Sequence, residues 1–187
     1  LNWLKRATFN SLQENLGDAR SLGRLMTSLY DLSKPTIARV QGPTFGSGVG
    51  LVACCDIAVA SYDAQFALNE VKLGGSPALA APFVLAAIGE RHARRYLLSA
   101  ERFSAAEAYR IGLVHEIVPD EEQLDHALAE IIDGLLKNSP SAMVECKAML
   151  RAFSQRPIEP ALVEDAAQRV AGVRSSPEGR EGLSAFL

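Results

Sequence analysis

Between Pro35 and Leu73 the chain reads P-T-I-A-R-V-Q-G-P-T-F-G-S-G-V-G-L-V-A-C-C-D-I-A-V-A-S-Y-D-A-Q-F-A-L-N-E-V-K-L. The chemistry in this stretch lies at two places, the turn Gly46-Ser47-Gly48 and the carboxyl of Glu70. A glycine-rich turn between a strand and a helix leaves backbone N–H groups without intrahelical partners, aimed where an anion could sit. If the next strand returns Glu70 to that turn, a proton carrier stands beside an anion cradle. A reaction that passes through an acyl enolate needs that pair. The apolar neighbours Phe66, Ala67, Leu68, Val71 and Leu73 form a setting suited to a general acid/base. A donor at Ser47 requires only that this residue avoid positive φ, leaving Gly46 and Gly48 for any strained position.

The elements that must hold this pair can be read from pattern. Thr36–Val40 and Ile57–Ala60 are expected strands whose continuous apolar runs suit a sheet covered on both faces. Gly48–Cys54 is the small-residue helix between them, making a parallel crossover. Before it, residues 1–32 carry Leu12, Leu16, Leu22, Leu25, Met26 and Leu29 at helical spacing, as one or two helices ended by Lys34-Pro35. After Glu70, helices are expected at Pro77–Ile88, Arg91–Leu98 and Ser104–Ile111. Ser104 and Glu107 are spaced as a capping box opening the third. A short strand spans Leu113–Val118, and helices span Glu121–Lys137, Ser141–Phe153 and Ala161–Val173.

Composition bounds the rest. With 187 residues the chain can form a real core, burying about 70% of its unfolded surface. A hydrophobic share of 48% against 22% charged is ordinary for a globular chain. A net charge of −3 gives no reason to expect nucleic acid or an anionic membrane as partner. No apolar run approaches the ~20 residues of a membrane span. Cys54, Cys55 and Cys146 lack metal-ligand spacing and are expected as small buried hydrophobes of a reducing, cytoplasmic compartment. His92, His115 and His126 show no partner spacing, so no metal is expected, and Asp56 suits a strand entry or a helix end better than catalysis.

In order along the chain, these motifs resemble the crotonase superfamily, the enoyl-CoA hydratase/isomerase family. Gly46-Ser47-Gly48 stands at the family's triple-glycine turn, Cys55-Asp56-Ile57-Ala58 at its strand entry, and Phe66–Glu70 at the segment that ends in a catalytic Glu. Glu101–Ala108, Ile111–Val114 and Glu178–Phe186 resemble its later signatures. The resemblance implies an α/β fold, a crotonase-type ββα spiral followed by a helical C-terminal trimerisation region. Residues 1–138 would form the core and 139–187 the helical region, as a homotrimer or a dimer of trimers. The apolar residues Met143, Met149, Leu150, Phe153, Leu162, Val163, Ala166 and Val170 would face either neighbouring subunits or their own core. Leu1–Arg6 resembles the segment just after the family's GAD motif, so the early repeats and a second oxyanion donor are expected upstream.

The resemblance also assigns roles. The N–H of Ser47, flanked by Gly46 and Gly48, would hold the thioester oxygen of an acyl-CoA, and Glu70 would move the proton. Lys5 and Arg6 would reach toward coenzyme A, which is part of the substrate, and no separate cofactor is implied. Gly50 stands where two-Glu hydratases carry their first catalytic Glu. The run from Leu73 to Leu98 resembles a methylglutaconyl-CoA hydratase-like branch, which also has glycine there. Hydration of a 2-enoyl-CoA is therefore the leading expectation. A Δ3-Δ2 enoyl-CoA isomerase using the single Glu, and a non-catalytic acyl-CoA binder, are its alternatives.

Overall fold

Asp56 fixes where the parallel strands begin. In the computed structural model, which describes residues 7–187, its Oδ2 accepts hydrogen bonds from the Thr36 N–H at 2.7 Å and the Thr36 hydroxyl at 2.9 Å. The Asp56 N–H returns a bond to Thr36 Oγ1 at 3.0 Å. This reciprocal latch sets the register of β1 (Ile37–Val40) on β3 (Ile57–Ser61), with Ile37 opposite Ile57 and Val40 opposite Ala60. Asp56 is thus a strand-entry residue, as its sequence position suggested. Lys5 and Arg6, the proposed coenzyme A contacts, lie outside the described residues.

Two three-stranded sheets carry the first unit. One has the order β1-β3-β6, where β6 is Glu116–Val118 and all pairs are parallel. The other contains β2 (Pro43–Phe45), β4 (Gln65–Ala67) and β5 (Phe103–Ser104), the last antiparallel. The chain crosses from the first sheet to the second at Gly42, whose φ of 64° needs glycine. It crosses again through residues 62–64. This strand-strand-helix repetition is the ββα winding that the sequence motifs implied. The second sheet was not read from sequence, because strands of two or three residues show no periodicity.

Helices make up most of the remaining described chain. α1 (Leu12–Tyr30) runs unbroken through Gly17 and Gly23 and opens with a full Ser11/Glu14 capping box. It stops at Tyr30, before the Lys34-Pro35 signal. α2 (Ser47–Cys54) begins one residue earlier than its pattern suggested. α3 (Ala81–Ser99) starts four residues later than expected and is kinked at Gly89, where φ is 72°. α4 (Ala105–Arg110), α5 (Glu121–Leu136), α6 (Pro140–Phe153) and α7 (Pro160–Ser175) match expected helices within a few residues. α8 (Pro177–Phe186) follows as a separate helix capped by Ser176. No helix among the described residues is long and apolar enough to cross a membrane.

The chain divides into two compact units. The first takes the described chain up to Leu32 with Thr36–Ala127, and the second takes Ser33–Pro35 with Leu128–Leu187. The core of the first unit includes Met26, Val49, Val59, Phe66, Leu68, Val84 and Tyr96, all fully or nearly fully buried. In the second unit Lys147 is buried and donates to the Lys34 carbonyl at 3.1 Å. Arg169 of α7 bridges Glu145 of α6 at 2.6 Å and Asp165 at 2.9 Å. Leu150, Val163 and Phe186 of this unit are exposed. Of the cysteines only Cys54 is buried, whereas Cys146 is exposed, against expectation. Burial pushes the Cys54 thiol up to about 11, which makes it a poor nucleophile.

The expected capping box at Ser104 is only half formed. Ser104 Oγ accepts from the Glu107 N–H at 3.3 Å, but the Glu107 carboxylate does not return to the cap. Instead it accepts from the buried Tyr96 hydroxyl and takes two bonds of 2.6 Å from Arg110. Arg110 first and Tyr96 second hold the Glu107 carboxyl down to about 2, against 4.5 normally. Tyr96 in turn packs on Phe103 at 4.3 Å, and Phe103 stacks on Phe66 at 5.5 Å. Glu107 thereby braces β4 and β5. Above pH ~4.5 the charge is present folded and unfolded, and the stabilisation is whole; as pH falls the unfolded chain takes up the proton first, and the gain is lost by pH ~2. With the side chain 23% exposed, Glu107→Gln should cost about 1 kcal/mol at pH 7 and flatten the acid limb of denaturant-monitored stability. Parallel acid limbs in the two proteins would refute this bracing role.

Candidate active site

β2 delivers the chain to Gly46, and Gly46 makes the turn into α2. Its φ of 54° with ψ of −125° is a conformation that L side chains rarely adopt. The Gly46 N–H donates to the Ala67 carbonyl at 2.8 Å, which ties the turn to the end of β4. Its own carbonyl accepts from the Val49 N–H at 3.0 Å. The N–H of Ser47, the first residue of α2, has no backbone acceptor among the described residues, and no side chain caps the helix. Ser47 itself keeps an ordinary negative φ. Gly46 alone takes the strained conformation; Gly48 does not, and a side chain there would meet the Thr44 methyl at 3.4 Å.

Glu70 opens a short 3₁₀ turn, Glu70–Leu73, just beyond β4. Gly74, left-handed at φ 72°, and Gly75 close it, and the Gly75 N–H donates to the Glu70 carbonyl at 3.0 Å. This closure, with the tie from Gly46 to Ala67, leaves little freedom for where the Glu70 side chain starts. Its carboxyl returns against Gly46. A Cβ built on Gly46 would sit 3.0 Å from Glu70 Oε1 and 3.6 Å from Asn69 Oδ1. Any side chain at position 46 would therefore displace the carboxyl. Glu70 Oε2 is buried and has no hydrogen-bond partner among the described residues. A buried carboxyl oxygen left unmatched costs about 1–3 kcal/mol, so such groups are concentrated where function requires them. The surroundings are less uniformly apolar than the sequence suggested. Phe66, Ala67 and Leu68 are buried, but Val71 and Leu73 are exposed.

The structure thus brings together Gly46, Ser47 and Glu70 and adds Asn69, which sequence reasoning passed over. Its signal was its place beside Glu70, with no pattern to set it apart. Gly50 is explained by packing. A Cβ there would stand 2.7 Å from Ala80 Cβ and 2.9 Å from Met26 Cε. The helices α1, α2 and the approach to α3 meet at this point, and no carboxylate can project from it without displacing them. His115 is structural, its Nδ1 accepting from the Ala58 N–H at 3.0 Å. An apolar depression of about 470 Å³, bounded by Leu25, Leu29, Val40, Leu51 and Cys55, lies beside β1 and includes neither Ser47 nor Glu70.

A carboxyl packed against one strained glycine, and an N–H without an acceptor among the described residues at the next position, are groups that can move a proton next to a carbonyl whose oxygen gains charge. Comparison with known proteins bears on the family and the fold. The sequence pattern of the family described as "Enoyl-CoA hydratase/isomerase" matches residues 5–187. An enoyl-CoA hydratase from Shewanella pealeana, of known crystal structure, superposes with a TM-score of 0.94 at 42% identity, over 99% of this chain and 69% of that one. The 2,3-dehydroadipyl-CoA hydratase of Escherichia coli is 31% identical over 94% of this chain and 68% of its own length. The carnitinyl-CoA dehydratase of Salmonella agona is 36% identical over 72% of this chain and 51% of its own. Motif order, the ββα winding and these likenesses converge, and the chain belongs to the enoyl-CoA hydratase/isomerase family.

Proposed function

We propose that this protein adds water to the double bond of a 2-enoyl-CoA, with Glu70 as its acid/base and the Ser47 N–H as a donor to the thioester oxygen. The observation that carries the reading is the Glu70 carboxyl, packed against Gly46 with one oxygen buried and unpartnered. In the forward direction Glu70 accepts a proton from water as the water oxygen bonds to the β-carbon. The electron pair of the double bond moves toward the thioester oxygen, where a fixed N–H contributes a few kcal/mol of stabilisation, typically ~3. Glu70 then returns that proton to the α-carbon, giving the 3-hydroxyacyl-CoA. One carboxyl suffices because the proton it takes is the proton it gives back.

The glycine at position 50 favours a second reading, migration of a double bond from the 3 to the 2 position of the acyl chain. It uses the same two groups and no water. The two are separated by supplying a 2-enoyl-CoA and a 3-enoyl-CoA and identifying the products. Formation of 3-hydroxyacyl-CoA from the former is expected. Conversion of the 3-enoyl substrate that stops at the 2-enoyl product would replace hydration by isomerisation, and binding without turnover of either would leave an acyl-CoA binder. Trimeric assembly, with Leu150, Val163 and Phe186 covered by other copies, belongs to the same proposal. A sedimentation mass of one chain would remove it.

A further inference from the structure

A water molecule that attacks carbon is oriented best when both of its protons are held, one on the base and one on a second acceptor, so that a lone pair faces the carbon. Glu70 provides the first acceptor. The second cannot come from position 50, where Ala80 and Met26 fill the space. We propose that the Asn69 side-chain carbonyl is that second acceptor and orients the attacking water. The inference rests on the hydration reading of the same site.

Two features of Asn69 support it. Asn69 is the N-cap of the 3₁₀ turn, where an Asn side chain ordinarily accepts from a backbone N–H of the turn it opens. Here it makes no such bond. Only its backbone carbonyl serves the turn, accepting from the Lys72 N–H at 3.1 Å. The side-chain oxygen instead lies on the Gly46 side, 3.6 Å from the point where a Cβ would stand and from which Glu70 Oε1 is 3.0 Å. Acceptor oxygens of two adjacent residues therefore both approach Gly46, the glycine whose lack of a side chain lets them come this near. Asn69 is half-buried, so the acceptor is partly shielded from bulk water without being sealed off.

The experiment compares Asn69→Leu, which keeps the volume and removes the acceptor, with Asn69→Asp, which keeps an oxygen in place. Two rates are read on each: hydration of a 2-enoyl-CoA, and exchange of the α-proton of a saturated acyl-CoA with deuterated solvent. The exchange needs the Glu70 carboxyl and the Ser47 N–H but no attacking water. Asn69→Leu is expected to lower the hydration kcat by about 10–100-fold, with KM and the exchange rate within about threefold of the wild type. Asn69→Asp should keep hydration within about tenfold. Undiminished hydration by Asn69→Leu would overturn the proposal. So would loss of exchange along with hydration, which marks a merely structural residue, or equal loss in Asn69→Asp. A wild-type protein that exchanges the α-proton but never hydrates would instead overturn the hydration reading on which this rests.

Discussion

Glu70→Gln should lower turnover of a 2-enoyl-CoA by about 10²–10⁴-fold while acyl-CoA affinity stays within about threefold, since an acid/base acts on the transition state more than on binding. Stability should move the other way. The wild-type carboxyl buries an oxygen with no partner among the described residues, and replacing it by a neutral amide removes the more expensive of the two groups to bury. Thermal unfolding of Glu70→Gln is thus expected at or above the wild-type midpoint. Activity lost with stability retained or gained is the signature of a group kept for chemistry at a cost to the fold. Turnover unchanged by the substitution would take the acid/base role away from Glu70. A large drop in midpoint alongside the activity would make Glu70 a structural residue.

The same contrast explains what could be read from the sequence. The pairing of Gly46-Ser47-Gly48 with Glu70 was legible because a glycine turn, a small-residue helix, an apolar strand and a carboxyl occur in an order that resembles one family's; either motif alone would suit an ordinary packing turn or a surface carboxylate. Asp56 was legible as a polar residue at the mouth of an apolar strand. Other features needed three dimensions. β2, β4 and β5 are too short for an alternating pattern, so the second sheet that tethers both Gly46 and Glu70 left no trace. Glu107 has capping-box spacing, yet its carboxylate answers to Tyr96, eleven residues earlier in the chain, and to Arg110. Lys147 looks like a surface charge on α6 but is buried against the carbonyl of Lys34, 113 residues away. Sequence spacing reports local partners; it finds Arg110 for Glu107 but neither Tyr96 nor the Lys34 carbonyl.

Gly50 shows how packing can decide chemistry. It lies in α2, where replacing Gly by Ala ordinarily gains about 0.5–1 kcal/mol of helix stability. Here the added methyl would stand 2.7 Å from Ala80 Cβ and 3.2 Å from Ala80 Cα. Met26 Cε, 2.9 Å away, is a flexible end that can move, but the backbone at Ala80 cannot without shifting the start of α3. Overpacking of this kind costs about 1–3 kcal/mol and outweighs the helix gain. Gly50→Ala should therefore lower the unfolding midpoint by several degrees, taking about 2–4 °C per kcal/mol for a chain of this size. Ala80→Gly in the same chain should recover most of the loss, because the two methyls compete for one space and their effects are coupled. Gly50→Glu is expected to fare worst, adding an unpaired buried charge to the overlap, and to yield no faster hydration. The arrangement that leaves this site with one carboxyl is thus built into the contact between α2 and the approach to α3. A Gly50→Ala protein as stable as the wild type would mean that the contact yields easily, and that a carboxylate at position 50 is excluded by something other than packing.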